Sequence, residues 1–153
     1  FHAASLGEFE QGRPLIEKLR KLHPEYQILL TFFSPSGYEV RKNYEGADII
    51  CYLPLDTIGN ARKFLNLVHP EMVFFIKYEF WYNYLHILKK RNVPVYSISS
   101  IFRPDQIFFK WYGKNYGRVL HCFTHFFVQK IPSDFFRRGH RAGTYRKDAC
   151  QSD

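Results

Sequence analysis

The chain has 153 residues, 46% of them hydrophobic and 19% aromatic, which suits one domain with a real apolar core and excludes a disordered tail as its main character. Its formal net charge of +8 suits phosphates, anionic lipid or nucleic acid without choosing among them. Cys51, Cys122 and Cys150 are odd in number and none form a CxxC pair, so neither a disulfide framework nor a zinc site is indicated. The seven His residues show no metal-ligand spacing, and no apolar run approaches the ~18 residues of a membrane span. The chain lacks an initiator Met and opens in what reads as the end of a strand, so a fragment is expected.

In chain order, Phe1–Ala4 reads as a strand end, followed by a small-residue turn at Ser5-Leu6-Gly7. Gly7 is expected to turn the backbone sharply and to leave open space above it. A helix around Pro14 presents Leu15, Ile16, Leu19 and Leu22 on one face. Tyr26–Phe33 is an apolar run of buried-strand length. Ser34 is a good N-cap with Pro35 at the first helical position, predicting a short helix to about Asn43, ended by Gly46.

Asp48–Leu53 is the next strand, and Thr57 caps a helix through Val68 that Pro70 stops. Met72–Ile76 is a third apolar strand. An aromatic-rich helix over 80–90 ends in Lys89, Lys90 and Arg91, as the helix dipole favours. Val93–Ser97 reads as a strand, residues 105–119 as a helix opened by Arg103-Pro104-Asp105, and Thr124–Val128 as the last clear strand.

Repeated β-α units with crossover-length helices predict an α/β fold, a doubly wound, mainly parallel Rossmann-like sheet. No GxGxxG follows the first strand and no GxxxxGK[ST] occurs, which disfavours standard dinucleotide or P-loop binding. The alternation stops near residue 130. Residues 1–129 are therefore read as one domain, and residues 130–153, basic and turn-rich, as a tail that is either flexible or non-native through a lost reading frame.

Two readings fit Glu8. It complements the dipole of the helix it opens, like many first-turn acids, or it is a general base aimed into the crevice at the carboxyl end of a strand. Two readings also fit Ser34-Pro35-Ser36-Gly37: a plain Ser cap, or free N–H groups and hydroxyls that meet a phosphate or sugar hydroxyl.

Four segments carry a family resemblance: His2-x-x-Ser5-x-Gly7-Glu8, Thr31-Phe32-Phe33-Ser34-Pro35-Ser36-Gly37, Tyr52-Leu53-Pro54-Leu55-Asp56 and Glu79-Phe80-Trp81-x-Asn83. In this order and at these β-α positions, the chain resembles the N-terminal domain of the bacterial 3-deoxy-D-manno-octulosonic acid (Kdo) transferases. The resemblance implies the N-terminal, acceptor-binding half of a two-domain GT-B glycosyltransferase. Such an enzyme transfers Kdo from CMP-Kdo to the lipid A precursor in lipopolysaccharide biosynthesis, by inversion and without a metal. It implies no cofactor, with CMP-Kdo bound mainly by a C-terminal domain outside this chain. The expected location is the cytoplasmic face of the inner membrane, against an anionic surface, with no nucleic acid partner.

By resemblance, Glu8 is the catalytic base. Ser5, Gly7, Ser34, Ser36, Gly37, Lys77, Glu79, Asn83 and Arg103 are the candidate substrate-binding residues. Two positions depart from the family pattern. Lys77 stands where the family commonly has Glu, and Ser99-Ser100-Ile101-Phe102-Arg103 replaces Asn-Ala-Arg-Leu-Ser. The alternatives are a related GT-B enzyme with another acceptor, and a non-catalytic basic module that binds anions.

Overall fold

The computed structural model describes residues 1–77, 81–101 and 119–130, with 99–101 and 128–130 as backbone. Six strands form one parallel sheet: β1 (His2–Ala3), β2 (Leu29–Phe32), β3 (Ile49–Tyr52), β4 (Val73–Ile76), β5 (Val95–Ile101) and β6 (His125–Lys130). Between them lie α1 (Leu6–Leu22), α2 (Pro35–Arg41), α3 (Ile58–Val68) and α4 (Tyr82–Lys90). The spatial order is β3-β2-β1-β4-β5-β6, so the chain reverses direction across the sheet between β1 and β4. That reversal is the topological switch point of a doubly wound fold, and ligands of such sheets sit outside its carboxyl end.

Two apolar layers cover the sheet. On one face, Phe9 and Ile16 of α1 pack with Ala3, Leu30, Phe32 and Ile76. On the other, Ala61 and Leu65 of α3 join Tyr84, Leu85 and Leu88 of α4 over Phe75, Val95 and Phe126. The winding on both faces is as the sequence predicts.

Several boundaries differ from expectation. Gly7 makes no sharp turn: it lies inside α1, and the turn is made by Ala4-Ser5, with Ser5 in extended conformation at φ −138°. Gly7 does leave open space, since a Cβ there would meet nothing within 4 Å. α1 continues through Pro14, which lies exposed within it, and Leu22 is exposed rather than on the buried face. α2 stops at Arg41, before Gly46 can act as its terminator. α3 is ended by His69, which adopts the left-handed conformation (φ 45°) and donates its N–H to Leu65 O; Pro70 only follows. β5 starts later and runs further than Val93–Ser97. Thr57 and Ser34 cap as predicted, accepting the N–H groups of Asn60 and Ser36. The helix expected over 105–119, Val119 apart, lies outside the described residues, as does the tail expected over 130–153, except that Lys130 ends β6.

One transverse row of paired residues crosses all six strands: Cys51, Thr31, His2, Phe75, Ser97 and Phe126. His2, Thr31 and Ser97 are buried polar side chains. Each makes a hydrogen bond, as burial requires. His2 Nδ1 bonds Thr31 Oγ1 at 2.9 Å, Thr31 Oγ1 donates to Phe1 O, and Ser97 Oγ donates to Lys77 O. Parallel strands bury both faces, so such polar groups are where register becomes specific rather than merely apolar.

Candidate active site

The site is built where β1 and β4 separate at their carboxyl ends. β1 runs into Ala4-Ser5, and α1 begins at once, so its first turn stands over the crevice. Glu8 lies in that first turn, and its carboxylate folds back to accept the N–H of Ala4 at 2.7 Å. This is close to a capping box, with the acid in the third helical position reaching the residue before the N-cap. The bond holds the half-buried carboxylate at the strand-helix junction. Ser5 occupies the N-cap without a side-chain capping bond, and its carbonyl accepts the N–H of Phe9.

The second turn is docked onto the first. Ser34 N–H donates to Ala4 O at 2.8 Å, so Ala4 gives its N–H to Glu8 and its carbonyl to the β2-α2 junction. Gly37 makes this approach possible: a Cβ there would overlap the Phe32 ring and lie 3.2 Å from Leu6 N. Ser5, Gly7 and Glu8 are thereby brought beside Ser34, Ser36 and Gly37. The Ser34 and Ser36 hydroxyls bond each other at 2.9 Å, and Ser34 Oγ caps α2.

Lys77 ends β4, the strand that pairs with β1 across the switch point. Its backbone is left-handed at φ 62°. A β-carbon makes this conformation costly, by about 1–2 kcal/mol. The surroundings hold it there: Lys77 N–H donates to Ile98 O at 2.7 Å, and Ser97 Oγ donates to Lys77 O at 3.2 Å.

Asn83 is placed differently. Its side-chain amide donates to Asp56 O, while its backbone N–H meets the Asp56 carboxylate at 3.0 and 3.3 Å. Beside it, Tyr84 donates its hydroxyl to Pro54 O. Asn83 thus anchors the loop after β3 to the start of α4. Burial, followed by the nearby Asp56 charge, pushes the Tyr84 hydroxyl up to about 12. Glu79 and Arg103 lie outside the described residues.

Sequence reasoning assigned no role to Asp56, Ser97 or His2. Asp56 stood in a motif segment without a role: α4 opens on Trp81, whose side chain makes no capping bond, and the Asp56 carboxylate takes that place from the loop after β3. His2 is edge-on to the rings of Phe75 and Trp81, and Trp81 is in turn edge-on to Phe33, tying the end of β2 to the start of α4. A cleft of about 700 Å³ opens elsewhere, between α3 and the strands, lined by Leu29, Ile49, Cys51, Phe64 and Val68 among others. None of the candidate residues at the switch point lines it. Among the described residues, no group of three or more His, Cys, Asp and Glu side chains could hold a metal ion. No described helix is long and apolar enough to cross a membrane.

A Rossmann-like α/β domain with a first-turn carboxylate over its switch-point crevice is the class of protein that these features define. Residues 1–134 match the family described as 3-deoxy-D-manno-octulosonic-acid transferase (kdotransferase), and the chain belongs to that family. It is similar to the 3-deoxy-D-manno-octulosonic acid transferase of Haemophilus influenzae, with 36% identity over 94 residues, 61% of this chain and 22% of that protein. The transferase of the same name from Aquifex aeolicus is 36% identical over 81 residues, 52% of this chain and 22% of that protein. The one from Chlamydia trachomatis serovar D is 28% identical over 123 residues, 76% of this chain and 28% of that protein. The chain therefore spans about a quarter of the length of the relatives it matches.

Proposed function

We propose that this domain forms part of the acceptor-binding half of an inverting, metal-independent Kdo transferase. The donor is CMP-Kdo, the acceptor is the lipid A precursor, and the product enters lipopolysaccharide. Glu8 is the general base. As an acceptor sugar oxygen bonds to the anomeric carbon of Kdo, its proton passes to the Glu8 carboxylate. The bond from that carbon to the phosphate oxygen breaks, and CMP leaves with the electron pair. A positioned carboxylate contributes about 10²–10⁴-fold to such a step.

The observation that carries this reading is the position of Glu8 in the first turn of α1 at the switch point, held by the Ala4 N–H beside the open space over Gly7. Ser5, Ser34, Ser36 and Gly37 form the adjoining wall for the acceptor. Lys77, just after β4 at the switch point, is assigned to supply positive charge for a phosphate or carboxylate. Arg103 and Glu79 are assigned to substrate by family likeness alone. Asn83 supports the wall through Asp56. No cofactor takes part, and the enzyme works at the cytoplasmic face of the inner membrane. Residues 1–129 form the working domain, with Lys130 completing its last strand, and the rest of 130–153 is assigned no role in it.

The test is Glu8→Gln in the complete enzyme, assayed with detergent-dispersed lipid A precursor and CMP-Kdo. Transfer is expected to fall at least a hundredfold with the circular dichroism spectrum unchanged. Transfer within a few fold of the parent refutes the role of Glu8. The 153-residue chain alone is expected to transfer nothing, since donor binding needs the rest of the enzyme.

A further inference from the structure

Phe33 stands in one of the four motif segments and carries no assigned part in substrate binding. It follows β2 directly, at the carboxyl end of that strand. Its surface is 48% exposed, the most of any phenylalanine among the described residues. The preceding Phe32 is fully buried against Phe9 of α1, as the alternation of a strand requires.

An isolated exposed ring needs no explanation. This one is both placed and held. The peptide that joins Phe33 to Ser34 gives its N–H to Ala4 O at 2.8 Å, and Ala4 N–H meets the Glu8 carboxylate at 2.7 Å. Two hydrogen bonds therefore link the backbone beside the ring to the candidate base. The ring itself meets Trp81 edge-on, with centroids 5.3 Å apart. Trp81 is buried, and it lies edge-on in turn to His2 at 5.0 Å and Tyr84 at 5.7 Å. A packed aromatic cluster thus backs the exposed ring and limits its swing.

The groups beside the ring are polar. Ser34 follows it in the chain, and the Ser34 and Ser36 hydroxyls bond each other at the surface. A flat apolar ring bordered by hydroxyls and a carboxylate suits a pyranose. Such a sugar presents C–H groups on its faces, polarised by the neighbouring oxygens, and hydroxyls around its rim. The negative face of an aromatic ring attracts the former, and hydrogen-bonding side chains meet the latter. A bare phosphate would use the hydroxyls and leave the ring without a role.

We propose that Phe33 is the platform on which the acceptor sugar rests. The C–H face of the pyranose lies on the Phe33 ring, and its rim hydroxyls turn toward Ser34, Ser36 and the Glu8 carboxylate. Because Trp81 holds the ring before the ligand arrives, little side-chain freedom is lost on binding. The inference deepens the proposed function and rests on its reading of the acceptor as a sugar.

The complete enzyme is titrated calorimetrically, without CMP-Kdo, with the lipid A precursor stripped of its acyl chains. An aromatic contact is worth roughly 2- to 12-fold in affinity beyond its apolar area. Phe33→Ala is therefore expected to weaken binding about tenfold or more, and Phe33→Leu, which keeps apolar bulk without a ring face, about fivefold. Phe33→Tyr is expected to bind within about twofold of the parent. In steady-state assays Phe33→Ala should raise KM for the acceptor and leave KM for CMP-Kdo unaltered, whereas a disturbed fold would move both. Matching melting temperatures confirm that the variants fold.

Parent-like binding by Phe33→Leu overturns the proposal in favour of a plain apolar contact, such as one with an acyl chain. Parent-like binding by Phe33→Ala, an equal rise of KM for both substrates, or failure of the parent to bind the acyl-free sugar overturns it outright. The two readings fail separately. Indifference to Phe33 leaves transfer through Glu8 standing, while sugar binding that depends on Phe33 in an enzyme that transfers no Kdo refutes the transferase reading alone.

Discussion

The carboxylate of Asp56 accepts the backbone N–H of Asn83, 27 residues further along the chain, and caps α4 from the loop that follows β3. Two motif segments far apart in sequence are one structural unit. Asp56→Ala is expected to destabilise the domain by about 1 kcal/mol, the usual worth of a lost cap. Asp56→Asn, which keeps an acceptor oxygen, should lose less. Urea denaturation followed by circular dichroism measures both.

Gly12 and Gly7 lie in the same helix and make opposite predictions. A Cβ on Gly12 would collide with Ile76, which is fully buried. Gly12→Ala is expected to destabilise by about 1–2 kcal/mol, because overpacking exceeds the gain in helix propensity. Gly12→Ala with Ile76→Val should recover part of that loss. Gly7→Ala has room and should be neutral or slightly stabilising. In the complete enzyme, Gly7→Phe should fold and lose transfer, because it fills the space assigned to the acceptor.

Lys77→Gly removes the penalty of a left-handed Lys and is expected to stabilise the domain by about 0.5–1 kcal/mol. The same substitution should weaken binding of the anionic substrate in the complete enzyme, raising KM more than it lowers kcat. Thermal melts and steady-state kinetics read the two effects independently.

The Ile28 N–H, then the Arg20 guanidinium, hold the Asp48 carboxyl below its usual value. The folded state therefore binds the proton less readily than the unfolded one. This contribution is fully present above the ordinary carboxylate value and is lost as pH falls through the folded value. Tyr84 runs the other way: its contribution is complete below about 10 and declines as pH rises toward about 12, where the folded hydroxyl ionises. Asp48→Asn should flatten the acid limb of a plot of Tm against pH, and Tyr84→Phe the alkaline limb.

Much of the architecture was legible in the chain. The runs at Leu29–Phe32, Val73–Ile76 and the Thr57 and Ser34 caps are local signals, and local signals survive folding. Gly7 misled because a glycine before a helix looks the same whether it turns the chain or opens space beside it. Leu22 fits the helical period, yet as the last residue of α1 it is exposed, because the period alone does not say how far along a helix the core extends. The neighbourhood of Glu8, Ser34 and Gly37 could be inferred from β-α punctuation. The left-handed Lys77 and the cap from Asp56 could not, because both are imposed by elements distant in sequence.

The transverse row through Cys51, Thr31, His2, Phe75, Ser97 and Phe126 has a consequence for how the domain assembles. Parallel strands with greasy faces can slide by two residues and still look acceptable to the solvent. Here such a slide would strand the imidazole of His2 and the hydroxyls of Thr31 and Ser97 without their mates. Three small dipoles thus set the native alignment of the strands below its near-miss neighbours in free energy, and with it the crevice those strands frame.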